Sequence, residues 1–394
     1  MNVTTRPGVD PAEMFAAWAR RPGCVWLDTA TGGGLSILAA EPVKVFRAKN
    51  DPATFERLRA ELQDFPGYAI GYFGYDLKNC VEKLPTRAVD DLGLPDCWFG
   101  FYDTVVCGTG RLPDPPPVGG GQDARPTIRS NFTRDAYCAA VRRAKEYIAA
   151  GDIYQVNLSQ RFQCEVTAPP VEVYRALRAA NPAPYAAYLD IGEAQILSSS
   201  PECFLKLQGR QVVTRPIKGT APRAADPAAL LRSPKDNAEL VMIVDLERND
   251  LGRVCEFGSV HVPELVRVES FATVHHLVAT VAGTLRPDVA LVEAVRACFP
   301  GGSITGAPKI RAMEIIDELE PHARGVYCGA IGYFGPKGTA EFNIAIRTVV
   351  QQGSRLTFHA GGGIVADSEP EAEYEETLAK ARGILNAIEQ LRFR

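Results

Sequence analysis

Hydrophobic positions change their spacing along the chain, and the spacing predicts both helices and strands. In residues 137–148, apolar side chains recur every three or four positions behind Thr133, which is typical of a capped helix that ends near Ala149. In residues 203–207 and 211–215 they alternate around Gln208-Gly209, which predicts a β-hairpin with Lys218 just past its second strand.

Other segments extend this pattern. Residues 68–73 and 99–106 are strand-like, residues 52–63 form a helical run, and Pro234 behind Ser233 opens a further helix. A strand over residues 356–360 runs into three glycines. The last helix begins at Ser368-Glu369-Pro370-Glu371, which has capping-box spacing. Its apolar stripe is Leu378, Ala381, Leu385 and Ile388. Strand runs joined by hairpin-like turns predict an α+β fold with mostly antiparallel sheets.

Residues 108–126 are rich in proline and glycine, including Pro115-Pro116-Pro117 and Gly119-Gly120-Gly121. This composition cannot supply a packed core and predicts an exposed loop. The loop divides an N-terminal α+β region, residues 1–107, from a larger region, residues 127–394.

The composition limits the class of protein. Apolar residues make up 46% and charged residues 23% of the chain, the profile of a soluble globular protein. The net charge of -4 argues against a nucleic-acid-binding face, and no stretch has the apolar length of a membrane span. The ten cysteines lack Cys-x-x-Cys spacing, and no signal peptide is evident, so we expect free thiols in a cytoplasmic protein.

Lys218 lies in the run Pro216-Ile217-Lys218-Gly219-Thr220. Glycine lets backbone and ligand approach closely, and an amine whose pKa is lowered by its pocket becomes a nucleophile or a base. A solvated surface lysine is the alternative interpretation of this feature taken alone.

Two carboxylate pairs have helical spacing. Asp236 and Glu239 share a face of the helix behind Ser233, and Glu373 and Glu376 repeat the spacing on the last helix. Two such pairs could converge on Mg²⁺, which prefers oxygen ligands. Two solvated acidic faces explain the spacing as well, since Glu373 and Glu376 sit opposite the apolar stripe of their helix.

Three further features suggest sites for an anion. Residues 301–309, a glycine-rich run before a helix, depart from the phosphate-loop pattern but offer backbone amides for a carboxylate. The glycines at 361–363 offer more amides, or only a tight bend. Arg347 could bind a carboxylate with two hydrogen bonds, or form a structural salt bridge. His275 and His276 are adjacent on a strand, so at most one faces any given pocket.

Taken together, long ordered motifs between residues 130 and 392 resemble the chorismate-utilising enzyme family. The motifs are Ser200-Pro201-Glu202, residues 216–220, residues 245–253, residues 301–309, Gly332-Tyr333-Phe334 and residues 368–377. The resemblance implies large, mostly antiparallel sheets packed as a sandwich with helices outside.

Two positions separate the branches of this family. Anthranilate synthases carry alanine where this chain has Lys218, and isochorismate and salicylate synthases carry a lysine base where it has Gln155. The combination found here resembles the branch that makes 4-amino-4-deoxychorismate for p-aminobenzoate and folate synthesis. Anthranilate synthesis, or a non-catalytic binding subunit of the same fold, are the alternatives.

The resemblance also implies residue roles. Lys218 would attack C2 of chorismate while the C4 hydroxyl leaves, and Glu202 would be the general acid, after which ammonia adds at C4. His276 matches an active-site histidine that assists pyruvate loss in anthranilate synthases. Residues that would bind the substrate are Gly219, Thr220, Ser303, Tyr333, Arg347, Gly361 and Gly363. Glu239 and Glu376 would bind Mg²⁺ directly, with Asp236 and Glu373 acting mostly through water.

Chorismate is a dianion that four carboxylates would repel, so it should bind well only with Mg²⁺ present.

The expected nitrogen source is ammonia from another subunit. The chain shows no Gly-x-Cys-x-Gly nucleophile motif of a glutamine amidotransferase. A separate glutamine amidotransferase (glutaminase) subunit, or free ammonia, would therefore supply the amino group.

Overall fold

Two antiparallel sheets form the framework of the computed structural model, which describes residues 11–31, 35–108, 127–270 and 274–391. The strands described are β1 (Val25–Asp28), β2 (Ser36–Ala39), β3 (Lys44–Ala48), β4 (Tyr68–Phe73), β5 (Cys97–Tyr102), β6 (Val106–Gly108), β7 (Arg129–Ser130), β8 (Gln155–Glu165), β9 (Tyr185–Asp190), β10 (Gln195–Ser200), β11 (Cys203–Gln208), β12 (Gln211–Arg215), β13 (Ile217–Pro222), β14 (His261–Ser270), β15 (Val274–Thr284), β16 (Gly306–Ala307), β17 (Ala330–Gly335), β18 (Thr339–Asn343), β19 (Thr348–Gln352) and β20 (Arg355–Ile364). The α-helices described are α1 (Pro11–Trp18), α2 (Thr54–Gln63), α3 (Arg134–Ala149), α4 (Pro170–Ala180), α5 (Pro227–Leu231), α6 (Pro234–Gly252), α7 (Leu291–Cys298), α8 (Lys309–Leu319) and α9 (Pro370–Glu389).

The first sheet has the strand order β16-β8-β20-β19-β10-β9-β1-β2-β6, with β7 added beside β8. The second has the order β13-β15-β12-β11-β18-β17-β4-β5-β3, with β14 added beside β15. Strands from both sides of the proline- and glycine-rich segment therefore contribute to each sheet. The segment itself, from residue 109 to 126, lies outside the described residues.

Alternating side chains show that the sheets form a sandwich with helices on its outer faces. In β4, Ile70 and Tyr72 pack between the sheets against residues of β1, β9 and β10, whereas Phe73 points to the opposite face and the core that contains α2. In β1, Val25 joins the core between the sheets and Trp26 joins the core under α1, α4 and α9. This two-residue alternation gives β1 and β4 two buried faces each. The α+β sandwich expected from the sequence is confirmed.

Helix starts follow the predicted capping chemistry in two cases. The Thr133 hydroxyl accepts a hydrogen bond from the Ala136 amide at 3.2 Å, and the Ser233 hydroxyl accepts one from the Asp236 amide at 3.3 Å. These bonds satisfy amides that a first helical turn leaves unpaired. As a result α3 and α6 begin where the sequence predicts.

The start of α9 differs from the prediction. Ser368 does not cap the helix, because its hydroxyl donates to Glu373 Oε1 at 2.6 Å and accepts from the Val365 amide. Pro370 occupies the first turn, and Glu369 precedes it without a side-chain cap. Of the predicted stripe, Ala381 and Ile388 are buried, whereas Leu378 and Leu385 are half-buried.

The predicted strand over residues 99–106 is two strands. β5 lies in the second sheet and β6 in the first, so the chain crosses between the sheets at a bend around Asp103. A continuous apolar run cannot reveal this, because both sides of the bend are buried in the same sandwich.

Among the described residues, no helix combines the length and the apolar character needed to cross a bilayer. All ten cysteines are free, and all except Cys80 and Cys107 are buried.

Candidate active site

Lys218 lies just past the β11–β12 hairpin, as predicted, and the structure adds that it is part of a further strand. It is in β13, which pairs with β15 so that Lys218 lies opposite Leu277 and Thr220 opposite His276. The register shifts between them at Gly219, whose φ of +66° favours glycine. A Cβ at Gly219 would lie 3.1 Å from Cγ of Asp236. The bulge thus brings the lysine strand against the acidic start of α6.

Ser303 links Lys218 to Glu202. The Lys218 ammonium donates to the Ser303 carbonyl oxygen at 3.4 Å, and the Ser303 side chain hydrogen-bonds the Glu202 carboxyl group. Glu202 is 5% exposed, and Lys218 is half-buried. A nitrogen nucleophile and a carboxylic acid therefore share one hydrogen-bonding residue.

Burial shifts both pKa values toward the neutral forms. Loss of water lowers the pKa of Lys218, although the carboxylates of Glu239, Glu202 and Glu376 favour the ammonium. Loss of water raises the pKa of Glu202, although the Ser303 hydrogen bond and Lys218 oppose this. A neutral amine can act as a nucleophile and a protonated carboxyl can donate a proton.

The carboxylates of α9 lie against the three-glycine run of β20. A Cβ at Gly362 would be 3.3 Å from both Glu373 Oε2 and Glu376 Oε1. Glu373 is 5% exposed, so the alternative of a solvated acidic face does not hold for it, whereas the Glu376 side chain is 45% exposed. The reason is that β20 contains no side chain at Gly362 and lets α9 approach with this face.

Lysines surround these two carboxylates. Lys380 Nζ lies 2.7 Å from Glu376 Oε1 and donates to the Gly361 carbonyl oxygen at 2.9 Å. Burial raises the pKa of Glu373, and the charge of Glu376 adds to the rise. For Glu376 burial acts in the same direction, but the ammonium groups of Lys380, Lys235 and Lys218 bring its pKa below the ordinary value.

The second acidic pair, on α6, is open to a cation. Asp236 and Glu239 are half-buried, and within the described residues neither carboxylate has a hydrogen-bond or ion-pair partner. The oxygen donors of the two pairs are of the type that Mg²⁺ prefers. No three acidic, histidine or cysteine side chains in the described part of the chain come close enough to chelate one metal ion. The donor chemistry fits magnesium, and binding of the ion stays a prediction.

Arg347 offers a free cation next to His276. Its guanidinium has no hydrogen-bond or ion-pair partner among the described residues, and burial lowers its pKa. Its backbone has a φ of +50°, which is uncommon for a residue other than glycine. An unpaired, largely desolvated guanidinium is suited to binding a carboxylate.

His276, rather than His275, faces this region. His276 Nδ1 lies 3.0 Å from the Thr220 hydroxyl and 3.4 Å from the Gly219 carbonyl oxygen. Burial lowers the pKa of His276 to about 4, and Arg347 contributes to the decrease. His275 instead contacts Ser270 and Arg223. The neighbouring histidines thus point to different surroundings, as the strand geometry predicts.

The backbone of β20 is accessible from one side beside this site. β8 pairs with the whole strand, whereas the β19 register ends at Phe358. Gly361 and Gly363 lie beyond that end, and a Cβ at Gly363 would come 2.6 Å from the Gln155 amide nitrogen. The contact with Gln155 requires glycine at position 363, and the edge of β20 beyond Phe358 is the side that β19 leaves unpaired.

Tyr333 is not brought into this cluster. Its ring lies 5.7 Å from that of Tyr68, and it lines a separate cavity of about 340 Å³ with Asp28, Tyr185 and Asn343. None of the predicted metal-binding or catalytic residues lines that cavity. Its position on β17 does not support the predicted contact with the substrate.

Sequence reasoning missed two contributors to the site. Lys380 follows Glu376 by four positions, a spacing that indicates an ion pair and could have identified it. Asn157 donates to the Ser303 carbonyl oxygen at 2.8 Å. No local pattern indicates this contact, because 146 positions separate the two residues.

Comparison with known proteins gives a consistent family. Residues 22–386 match the family described as chorismate binding enzyme. The chain is 44% identical to anthranilate synthase component 1 of Thermus thermophilus, covering 86% of this chain and 82% of that protein. It is 43% identical to aminodeoxychorismate synthase component 1 of Klebsiella aerogenes, covering 91% and 85%.

A solved structure agrees with the fold. Anthranilate synthase component I of Streptococcus pneumoniae superposes with a TM-score of 0.80 and 33% identity, covering 90% of this chain and 92% of that one. The relatives carry two different names, so similarity alone does not select between them.

Proposed function

Because the chain belongs to the chorismate-binding enzyme family, we propose that it is an aminodeoxychorismate synthase component 1, which converts chorismate and ammonia to 4-amino-4-deoxychorismate. The proposal rests on the surroundings of Lys218. Its side chain is hydrogen-bonded to Ser303, as is Glu202, and burial lowers its pKa and so favours the neutral amine. An amine in this position is suited to covalent catalysis.

The first step is displacement at the substrate ring. The neutral Lys218 amine forms a bond to C2, the double bond shifts, and the C4–oxygen bond breaks. Glu202 donates its proton to the departing hydroxyl, which leaves as water, and the alkylated nitrogen of Lys218 loses a proton to solvent. Ammonia then forms a bond to C4 as the C2–nitrogen bond breaks. The departing nitrogen takes up a proton, so Lys218 leaves as the amine, while the new ammonium group at C4 loses a proton and Glu202 is reprotonated from solvent. Two displacements replace one difficult step.

Charge on the protein orients the dianionic substrate. Arg347 supplies a guanidinium for one carboxylate, and we assign Gly361 and Gly363 as further substrate-binding residues through their backbone amides. Glu239 and Glu376 would hold Mg²⁺ directly, with Asp236 and Glu373 acting mostly through water. Bound magnesium would offset the repulsion between these carboxylates and the substrate.

His276 acts as a neutral hydrogen-bonding side chain and not as a cation. With a pKa of about 4, its ring can exchange hydrogen bonds with Thr220 but carries no charge at pH 7. We place it, with Gly219 and Thr220, at the wall of the substrate site. We also propose that a glutamine amidotransferase subunit supplies the ammonia, in accord with relatives named component 1, and that the pair works in the cytoplasm.

Product analysis tests the proposal directly. Purified protein is incubated with chorismate, Mg²⁺ and ammonium, and the products are separated and identified by mass spectrometry. We expect 4-amino-4-deoxychorismate with no released pyruvate. Anthranilate together with pyruvate would instead establish the second candidate, anthranilate synthase component 1, the name of the Thermus thermophilus relative that is 44% identical. Unchanged chorismate, with and without a glutaminase, would indicate a binding subunit.

Removing the amine tests its role as nucleophile. Lys218→Ala should lose the covalent intermediate and lower kcat by about a hundredfold or more, since covalent catalysis is lost. The matched control is Lys44→Ala, which removes a half-exposed lysine paired with Glu61. Trapping with chorismate followed by intact-mass measurement reports the adduct. Parental turnover by the Lys218 variant would refute the assignment.

A further inference from the structure

Glu247 is a buried acid with no part in the steps above. It lies on α6, on the same helix as Asp236 and Glu239 but two turns further along, and is 3% exposed. Its Oε1 accepts a hydrogen bond from the Gly302 amide at 3.2 Å, while Oε2 has no hydrogen-bond partner among the residues that the structure describes. Burying a carboxyl group costs free energy, so the presence of Glu247 at a buried position calls for an explanation.

The Gly302 amide belongs to the turn that carries Ser303. The turn packs tightly on α6, because a Cβ at Gly302 would lie 3.1 Å from Cβ of Leu246 and 3.3 Å from Glu247 Oε1. Inside the turn, the Thr305 hydroxyl donates to the Gly301 carbonyl oxygen at 3.0 Å. These contacts from α6, together with the hydrogen bond from Asn157 to the Ser303 carbonyl oxygen, hold Ser303 in place.

Ser303 in turn contacts both reacting groups. Its carbonyl oxygen accepts a hydrogen bond from Lys218 Nζ, and its side chain forms a hydrogen bond with the Glu202 carboxyl group. A displacement of the turn would move the nucleophile and the proton donor together. A change of about 1 Å in such geometry can reduce a rate about a hundredfold.

We propose that Glu247 is a positioning residue for amination, which anchors the turn at residues 301–305 so that Ser303 holds Lys218 and Glu202 in register. The inference rests on the proposed function. Helix α6 would then contribute to the site in two ways, through Asp236 and Glu239 and through Glu247.

The neutral form of Glu247 suits this task. Burial raises the pKa of Glu247 to about 8, and the neighbouring Asp250 adds to the rise, whereas Lys309 opposes it. Asp250 keeps its own partner, because Lys309 Nζ lies 2.5 Å from Asp250 Oδ2. At pH 7 Glu247 therefore presents a carbonyl-like oxygen, which a glutamine amide can reproduce.

Three variants test the proposal in the full chain. Glu247→Leu removes the acceptor for the Gly302 amide at similar size, and Glu247→Gln restores an acceptor oxygen. Asp317→Leu is the matched control, since Asp317 is also a buried acid that accepts from a backbone amide, that of Arg87 at 2.8 Å. Steady-state kinetics with chorismate, ammonium and Mg²⁺ at pH 7 are measured well below each thermal midpoint.

We expect Glu247→Leu to lower kcat about tenfold or more with KM within about threefold of the parent, because geometry rather than binding is disturbed. Glu247→Gln should recover most of that loss, and Asp317→Leu should lower the thermal midpoint without lowering kcat. Glu247→Met replaces the leucine variant if the latter does not fold.

Three results would overturn the proposal. Parental kcat in the apolar variants, equal losses in the glutamine and apolar variants, or a loss confined to KM would each show that Glu247 does not position the reacting groups. Failure of the proposed function is distinguishable, because the parent protein would then make no 4-amino-4-deoxychorismate in the same assay.

Discussion

The buried imidazole of His276 should make the fold sensitive to mild acid. Its side chain is 2% exposed, and burial lowers its pKa from 6.5 to about 4. Between these two values the unfolded chain binds a proton that the folded chain does not. Stability is therefore present in full above pH 6.5 and is lost as the pH falls through that value toward 4.

The magnitude follows from the two pKa values. Each pKa unit corresponds to about 1.4 kcal/mol, so the full loss is about 3 kcal/mol, of which about 2 kcal/mol is reached at pH 5. His276→Gln cannot bind the proton and keeps a side chain able to hydrogen-bond Thr220. We expect the variant to be less stable than the parent at pH 7 but to lose about 2 kcal/mol less between pH 7 and pH 5.

Urea denaturation at pH 7, 6, 5.5 and 5 measures this difference. The difference between the free energies of unfolding of parent and variant isolates one histidine, since the other titrating groups are common to both proteins. His261→Gln is the control, because His261 lies exposed at the start of β14 and its replacement alters no buried imidazole. If the free energy of unfolding of His276→Gln parallels that of the parent across this range, the buried neutral imidazole is refuted.

Three further variants test other parts of the structure. Arg347→Gln removes the unpaired guanidinium and should raise KM for chorismate about tenfold or more, and an unchanged KM in steady-state kinetics would exclude it from substrate binding. Gly362→Ala would crowd Glu373 and Glu376, because an oxygen of each lies 3.3 Å from the new Cβ. The Mg²⁺ concentration that gives the half-maximal rate should therefore rise about tenfold. An Mg²⁺ titration identical to that of the parent would argue against metal binding at this place. Thr133→Ala removes the cap of α3 and should cost about 1 kcal/mol in urea denaturation at parental kcat, whereas parental stability would show that the cap contributes little.

Local sequence signals predicted the elements that rest on neighbouring residues. Thr133 and Ser233 cap α3 and α6 because a hydroxyl three positions before an amide can reach it. The β11–β12 hairpin forms around Gly209, whose φ of +60° suits a turn. At Ser368 the capping pattern was misleading, because the Ser368 hydroxyl donates a hydrogen bond to the buried Glu373 and does not cap α9.

The long motifs determined the family, and with it the residues proposed to carry the chemistry. Motif matching cannot measure distance, and it included Tyr333, which the fold places at another cavity. It also gave no role to Glu247, whose contact with the Gly302 amide joins positions 55 residues apart.

What the chain by itself determined was therefore the helices, the hairpin, the antiparallel class and the family. Only the tertiary structure decided that Lys218 meets Ser303 across 85 positions and that α9 buries Glu373 against β20. The physical reason is that periodicity and capping report on a side chain's neighbours within a few residues. Burial, and the pKa shifts that burial causes, depend on which distant strands and helices pack together.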